Sequence, residues 1–424
     1  MNLNREIIRL AGPAIVSNIA VPLLGLSDTT IAGHLGSEEA LAAIGAGAMM
    51  VNASFWLFGF LRMGTTGITA QAYGQGRMHQ AMATLARSFW LAASIGLVIV
   101  ALHVPLRGLL LAMMAPPGPS ADLASIYFTT VIFSAPAILC TMSVLGWLLG
   151  MQNTSLPMAI SIAPNIINIA LSLTLVFGFD LGFRGIAIGT LASNWFALAL
   201  ALVLAARFSR RKGCRLSLSL KSKGDAEPAL HGMGRFFKVN TDIFFRSVCI
   251  MAVSLSVTAF GARLGPLTLA ANSVMMQFFT LFAYFMDGFA FTGEALCGRF
   301  AGEMQRGSAD GHKMLMRSVR ALLWWSAGCA AVFFTAYLVA GMRIAGLITD
   351  EPEVLAAVGE YYPFLVAIPP ITVAAFIFDG FYIGLTRTRK MLVATAISAA
   401  LFYAISLSAG TLPSNPRRWT AFLA

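Results

Sequence analysis

Gly146-Trp147-Leu148-Leu149-Gly150 and Gly380-Phe381-Tyr382-Ile383-Gly384 match position by position, 234 residues apart. Tyr127 and Pro136, upstream of the first, find Tyr361 and Pro370 at the same spacing. Leu35-Gly36 with Leu41-Ala42-Ala43 returns more loosely, as Leu264-Gly265 with Leu269-Ala270-Ala271. A solenoid unit repeats every 20–50 residues or so, and this period is far longer. It divides the chain into two similar halves, the plan on which many membrane transporters are built.

Composition sets the solvent in which those halves fold. The chain is 58% hydrophobic and 11% charged, with a mean hydropathy of +0.77, whereas a soluble domain carries roughly 25% charged residues. Apolar runs recur, each long enough for the ~20 residues that cross a bilayer as a helix. Eleven spans are expected, at about 7–33, 41–70, 84–114, 122–149, 156–178, 184–206, 236–262, 269–298, 314–348, 355–385 and 391–411. They are too long for barrel strands, which need only ~10 residues and alternate in polarity. The fold class is therefore an all-α polytopic membrane protein of two pseudo-symmetric six-helix lobes. We expect an N-terminal lobe over 1–206, a cytoplasmic linker over 207–234 and a C-terminal lobe over 235–424. The second lobe ends on Trp419 to Ala424, the start of a twelfth helix cut short.

The net charge of +11 raises the question of a polyanion partner. With the N-terminus in the cytoplasm, 21 of the 29 Lys and Arg fall on the inner side, nine of them between Arg207 and Lys238. The outer side receives Arg107, Arg184, Arg263, Arg343, Arg417 and Arg418. This is the positive-inside distribution of an inner (plasma) membrane protein, and it replaces a nucleic-acid partner with membrane lipid. The five cysteines show no metal-binding spacing and read as small packing residues. The five histidines are scattered, with no HExxH, nucleophile elbow or phosphate loop, so the chain is not expected to be an enzyme or to carry a cofactor.

A carboxylate in hydrocarbon costs about 2.5–3.5 kcal/mol on insertion scales, so each one needs a reason. Asp28 lies toward the outer end of the first span, in Leu26-Ser27-Asp28-Thr29-Thr30. Asn165, Asn168 and Ser172 share a face of the fifth span, and with Thr190 they could offer oxygens to Asp28. In the second lobe, Asp287 and Glu294 are two helical turns apart on the eighth span, and Asp379 lies in the tenth. Asp242 and Arg246, four apart in the seventh span, read as an internal ion pair. A membrane carboxylate without a fixed cation can exchange protons, and one surrounded by oxygens can ligate sodium. The 21 Met and 31 Phe suit a pocket for varied apolar ligands, with Phe278, Phe279 and Phe282 as candidate walls beside Asp287.

In combination these residues resemble the MATE (multidrug and toxic compound extrusion) transporters, and within them the DNA-damage-inducible protein F branch. In the first half the resemblance rests on Leu10-Ala11-Gly12-Pro13-Ala14-Ile15, Gly25-Leu26-Ser27-Asp28-Thr29 and Thr69-Ala70-Gln71-Ala72-Tyr73-Gly74. In the second half it rests on Asp242-Ile243 with Arg246-Ser247, Asp287-Gly288-Phe289-Ala290 with Glu294-Ala295, and Asp379-Gly380. It implies a monomeric, cation-coupled efflux antiporter of cationic or amphipathic organic compounds, working by alternating access. It makes Asp28 the coupling-ion carboxylate, with Asn168, Ser172 and Thr190 around it and Pro13 where the first helix bends. Asp287, Glu294 and Asp379 become proton or substrate sites of the second lobe. Family members often carry a second carboxylate where this chain has Ser172, a departure that favours proton over sodium as the coupling ion. A lipid-linked oligosaccharide flippase of the same wider fold is the rival, but it should present free Arg or Lys to a pyrophosphate. Of the Lys and Arg, only Arg62 and Arg246 lie eight or more residues from both ends of an expected span.

Overall fold

The structure, a computed structural model, describes residues 2–34, 38–114, 118–214, 216–219, 233–407 and 415–423. Leu35-Gly36, residues 215 and 220–232 of the expected linker, and residues 408–414 lie outside the described residues. The first half contains α1 (Leu3–Gly33), α2 (Glu38–Trp56), α3 (Phe60–Gly74), α4 (Met78–Ala101), α5 (His103–Met114), α6 (Pro119–Val131), α7 (Ala135–Gly150), α8 (Ser155–Leu173) and α9 (Phe183–Arg211). The second contains α10 (Met233–Arg263), α11 (Pro266–Gln305), α12 (Gly311–Ile348), α13 (Pro352–Glu360), α14 (Tyr362–Gly384), α15 (Thr388–Leu407) and α16 (Asn415–Leu423). Short 3-10 turns fuse α2 with α3 and α6 with α7. Among the described residues, ten segments of 19–40 residues are long and apolar enough to cross a membrane, and α1 covers the stretch read as the first span.

Two expected spans are broken. The run 84–114 divides into α4 and the twelve-residue α5, because the ring of Pro105 cannot coexist with a helical carbonyl at Ala101, where α4 stops. The run 355–385 divides at Tyr361 into α13 and α14, with Pro363 in the first turn of α14. Pro13 and Pro22 leave α1 continuous. The carbonyl that Pro13 deprives of its partner, that of Arg9, accepts the Thr154 hydroxyl at 3.3 Å instead.

The glycines of the repeat do the same work twice. A Cβ on Gly146 would lie 2.3 Å from the carbonyl oxygen of Arg62, and one on Gly380 would lie 2.3 Å from that of Ala290. Each glycine lets its helix, α7 or α14, close on the backbone of the neighbouring α3 or α11. The relation extends across the boundary between the halves. Gly74 sits against the carbonyl of Arg299, and Gly302, 228 residues on, sits against that of Gln71, again 228 residues before Arg299. Between them Gly298 faces Ala70, its own counterpart at 228. Helices α3 and α11 therefore cross on a pseudo-twofold axis that passes through the Ala70–Gly298 contact. Around that crossing α11 packs on α1 of the first half, and α10 packs on α3.

Apolar burial fills the lobes on either side. Phe278 and Phe282 are buried among Tyr337, Phe333 and Phe376, so they are core of the second lobe rather than walls of an open cavity. Phe279 stacks edge-on against Phe422 of α16. That last helix is anchored by paired amides: Asn272 donates to Asn415 at 3.1 Å, Asn415 returns the bond at 2.9 Å, and the indole of Trp419 donates to Asn272 at 2.9 Å.

Candidate functional site

Asp28 is 5% exposed, on α1 where α6, α8 and α9 of its own lobe surround it. Its Oδ2 accepts the Thr190 hydroxyl at 3.3 Å and the Tyr127 phenol at 3.5 Å. Asn168 donates to Thr190 at 3.0 Å and to Ser193 at 3.5 Å. Asn168 and Thr190 thus stand in one chain of hydrogen bonds that ends on the carboxylate. Asn165 is not part of it and donates to the carbonyl of Ala20. Ser172, one turn beyond Asn168 on α8, is fully buried beside Gly189, whose missing side chain leaves room for the hydroxyl. Among the described residues, Asp28 Oδ1, Asn168 Oδ1 and Ser172 Oγ of this group are buried with no hydrogen-bond partner. Each can accept, and the carboxylate and amide oxygens can do nothing else.

Tyr127 is the residue that sequence reasoning used only as a landmark of the repeat. Gly47 holds its place, because a Cβ there would lie 2.7 Å from the tyrosine ring. Pro13 is half-buried on α1, close to where Gly288 of α11 packs against Ile15 and the carbonyl of Ala11.

The second-lobe carboxylates gather in a central cluster with two arginines. Glu294, 1% exposed, faces Arg62 of the first lobe at 3.2 Å, and the Arg62 guanidinium also lies over the ring of Phe291. Asp379 pairs with Arg246 at 2.7 Å. Asp287 lies two turns before Glu294 on the same face of α11. The expected Asp242–Arg246 pair does not form. Helical spacing puts both on one face of α10, but α14 brings Asp379 to Arg246 and α15 brings the Thr388 hydroxyl to Asp242 at 2.7 Å. Three carboxylates and two guanidiniums leave one negative charge in excess if all are ionised.

At the end of the molecule where α1 begins, polar contacts join the lobes. Glu6 of α1 meets Arg299 of α11 at 3.0 Å, and Arg299 also holds Glu303 at 2.9 Å. Arg235 of α10 donates to Gln71 of α3 at 2.6 Å and to Thr386 at 2.8 Å. Gln71 continues to the carbonyl of Gly384 at 2.9 Å, and Gln75 donates to Gln305. Arg235 follows Glu6 by 229 residues and Arg299 follows Gln71 by 228. The two clamps are therefore symmetry counterparts of different chemistry, an ion pair on one side and a guanidinium–amide bond on the other. The turns after the repeated glycines complete the join. Gln152 and Thr386, 234 apart, both have positive φ (62° and 51°). Gln152 donates to the carbonyl of Ala295 in the opposite lobe at 2.7 Å, and Thr386 accepts from Gln71 at 3.2 Å.

Comparison with known proteins agrees with this architecture. The MatE family model matches residues 13–174 and 243–407, one segment in each half. DNA damage-inducible protein F of Escherichia coli (strain K12) is 34% identical over 426 residues, covering 98% of this chain and 88% of that protein. Multidrug resistance protein MdtK of Edwardsiella ictaluri is 27% identical over 363 residues, covering 83% of this chain and 75% of that protein. The crystal structure of the Vibrio cholerae MATE transporter VcmN in the bent form superposes with a TM-score of 0.82 at 17% identity, over 99% of this chain and 93% of that one. With a family model over most of its length and a relative aligned nearly end to end, this chain belongs to the MATE family, whose members are transporters and not enzymes.

Proposed function

We propose that this chain is an antiporter that exports small organic compounds in exchange for a cation taken up at Asp28, by alternating access. It would work as a monomer in the inner (plasma) membrane with its N-terminus in the cytoplasm. Its lobes would be residues 1–206 and 235–424, joined by the linker 207–234. The names of the relatives, multidrug resistance protein among them, support export of small organic molecules, and a cluster with more carboxylates than guanidiniums suits cationic or amphipathic cargo.

The observation that carries the reading is the set of three buried, unpartnered oxygens at Asp28, Asn168 and Ser172. Buried acceptors without donors are unfavourable by about 1–3 kcal/mol each, and cation uptake relieves part of that cost, a proton by turning the Asp28 carboxylate from a pure acceptor into a donor. The Thr190 hydroxyl favours a proton. It has one hydrogen and two acceptors, Asp28 Oδ2 at 3.3 Å and the carbonyl of Ile186 at 3.1 Å. Ionised Asp28 takes that hydrogen. Protonated Asp28 can donate to Thr190 in turn, and the hydroxyl then turns to Ile186, so both protonation states keep their partners. Sodium would ask for more oxygen ligands around a site with one carboxylate. Cation uptake would bend α1 near Pro13 and alter its packing on α11. Exchange between two states then requires only that cargo and cation prefer different ones.

In the proposed orientation the clamps at Glu6–Arg299 and Arg235–Gln71 close the cytoplasmic end, so this conformation faces outward. The flippase reading finds no support in the centre, where Arg62 and Arg246 are both bound to carboxylates. Transport of a cationic dye in proteoliposomes, driven by an imposed proton or sodium gradient, tests the proposal. Counter-transport should follow the proton gradient and vanish in Asp28→Asn, with the protein still folded and inserted. Undiminished transport by Asp28→Asn would overturn the assignment of Asp28, and indifference to both gradients would overturn antiport.

A further inference from the structure

A cavity of about 380 Å³ opens on the first lobe between α5, α6 and α9, and neither Asp28 nor the carboxylates of the central cluster line it. It is lined by Arg107, Ser125, Ile126, Thr129, Thr130, Arg184 and Ile188. Its depth follows from the topology. Arg184 is the second residue of α9, Ser125 is in the second turn of α6, and α5 follows the end of α4. All three elements meet at the end of the bundle opposite the start of α1. In the orientation proposed above, on which this inference rests, that is the outer face of the membrane.

The lining is chemically one-sided. Arg107 and Arg184 both face the cavity, and among the described residues neither is within 4.0 Å of a carboxylate. They are two of the few basic residues on the side where the positive-inside rule makes such residues scarce, and both converge on one cavity. Guanidiniums sharing a partly enclosed space repel unless an anion lies between them. Three hydroxyls complete the wall. Thr130 is committed to the carbonyl of Ile126 at 2.8 Å, whereas Thr129 Oγ1 is buried with no partner. Two guanidiniums and hydroxyls on one cavity wall supply donors of the kind a phosphate accepts.

Toward mid-membrane, the same helix faces turn apolar. Ile126, Thr130 and Phe133 follow one another at helical spacing, as do Arg184, Ile188 and Trp195. Phe133 and Trp195 are each 46% exposed on the surface that lipid chains cover. A charged mouth at headgroup depth above two exposed aromatic side chains fits an amphiphile better than a free ion. We propose that this cavity binds the phosphate headgroup of an anionic phospholipid in the outer leaflet, with the acyl chains lying along Phe133 and Trp195.

Native mass spectrometry of the full chain released from nanodiscs tests this without any transport measurement. The nanodiscs would contain phosphatidylglycerol and phosphatidylcholine in equal amounts. Wild type should retain phosphatidylglycerol, and the Arg107→Gln/Arg184→Gln variant should lose about tenfold of that retention. The Arg107→Lys/Arg184→Lys variant should keep an intermediate share. An unchanged melting temperature in lipid-free detergent would show that the Gln variant is folded. Equal retention by wild type and the Gln variant overturns the proposal. So does displacement of the lipid by millimolar inorganic phosphate, which would make the ligand a free phosphate. Because both leaflets of a nanodisc carry the same lipids, the binding result stands even if the proposed orientation or antiport fails. A separate label on the N-terminus in intact cells reports the orientation.

Discussion

Arg62 of the first lobe and Glu294 of the second form an ion pair across the lobe boundary at 3.2 Å, with Glu294 1% exposed. A buried pair of this kind contributes little beyond what apolar residues of the same volume would, but removing one partner strands the other charge. Glu294→Gln should therefore lower stability by about 3 kcal/mol, read as a drop in the thermal unfolding temperature in detergent. The double variant Arg62→Met/Glu294→Met should recover most of that loss. A double variant as unstable as the single one would show that the pair does more than neutralise itself.

The two clamps at the end where α1 begins differ in salt sensitivity. Glu6–Arg299 joins two charged groups that are 9% and 23% exposed, whereas Arg235 bonds a neutral amide. On a background with the five native cysteines replaced, Gln75→Cys, half-buried against Gly302 of the other lobe, should react slowly with a membrane-impermeant maleimide. Arg299→Gln should raise that rate severalfold, as should high salt. In Arg235→Gln the rate should rise too, but added salt should then still act through Glu6–Arg299.

Gly47 offers a way to displace Tyr127 without touching any polar atom of the Asp28 group. Gly47→Val puts a side chain where the tyrosine ring now lies. The phenol would leave Asp28, and proton-driven dye transport should fall by roughly tenfold, the usual scale for one lost hydrogen bond to a charged group. Tyr127→Phe, which removes only the hydroxyl, should reproduce the transport defect without the steric one. If Gly47→Val impairs transport and Tyr127→Phe does not, the ring matters and its hydroxyl does not.

Ser172→Asp supplies a second carboxylate next to the unpartnered oxygens. Two carboxylates repel unless a cation sits between them, so transport by this variant should acquire a dependence on a sodium gradient. Proteoliposomes with sodium on one side only would show it. A variant still driven by protons alone would place Ser172 outside the coupling site.

Thr386 is a β-branched residue at φ 51°, a conformation that costs about 1–2 kcal/mol for such a side chain. Thr386→Gly removes that strain and also removes the hydroxyl that receives Arg235 and Gln71. Stability of the fold should hold or rise slightly, while labelling of Gln75→Cys increases. Loss of both together would mean that the strain estimate is wrong for this turn.

Much of this architecture was legible in the sequence. Apolar length and the 234-residue spacing found the spans and the two halves, because a membrane helix must satisfy its own backbone and a duplication preserves glycines that backbones press against. What escaped was set by partners on other helices. Helical arithmetic joined Asp242 to Arg246 because it sees one helix at a time, whereas Asp379 arrives from α14. Hydropathy ran the third span through Pro105, since it counts apolarity and not missing N–H groups. Tyr127 looked like scaffold, and only the fold shows its hydroxyl at Asp28. Asn168 and Thr190 were legible for the opposite reason: polar residues on lipid-crossing helices have few places to go except toward one another.

The contact between Gly298 and Ala70 has a consequence for how this protein can vary. A position that meets its own counterpart on the axis is a spacer: a methyl group added there pushes both lobes apart evenly, whereas one added at Gly74 or Gly302 tilts them. Volume at the spacer is shared, so what one side gains the other can give up. Gly298→Ala alone would wedge the crossing open, and Ala70→Gly beside it would relieve that contact, leaving the new methyl against the Gly384 carbonyl oxygen at 3.1 Å. Residues 70 and 298 can therefore trade volume but cannot grow together.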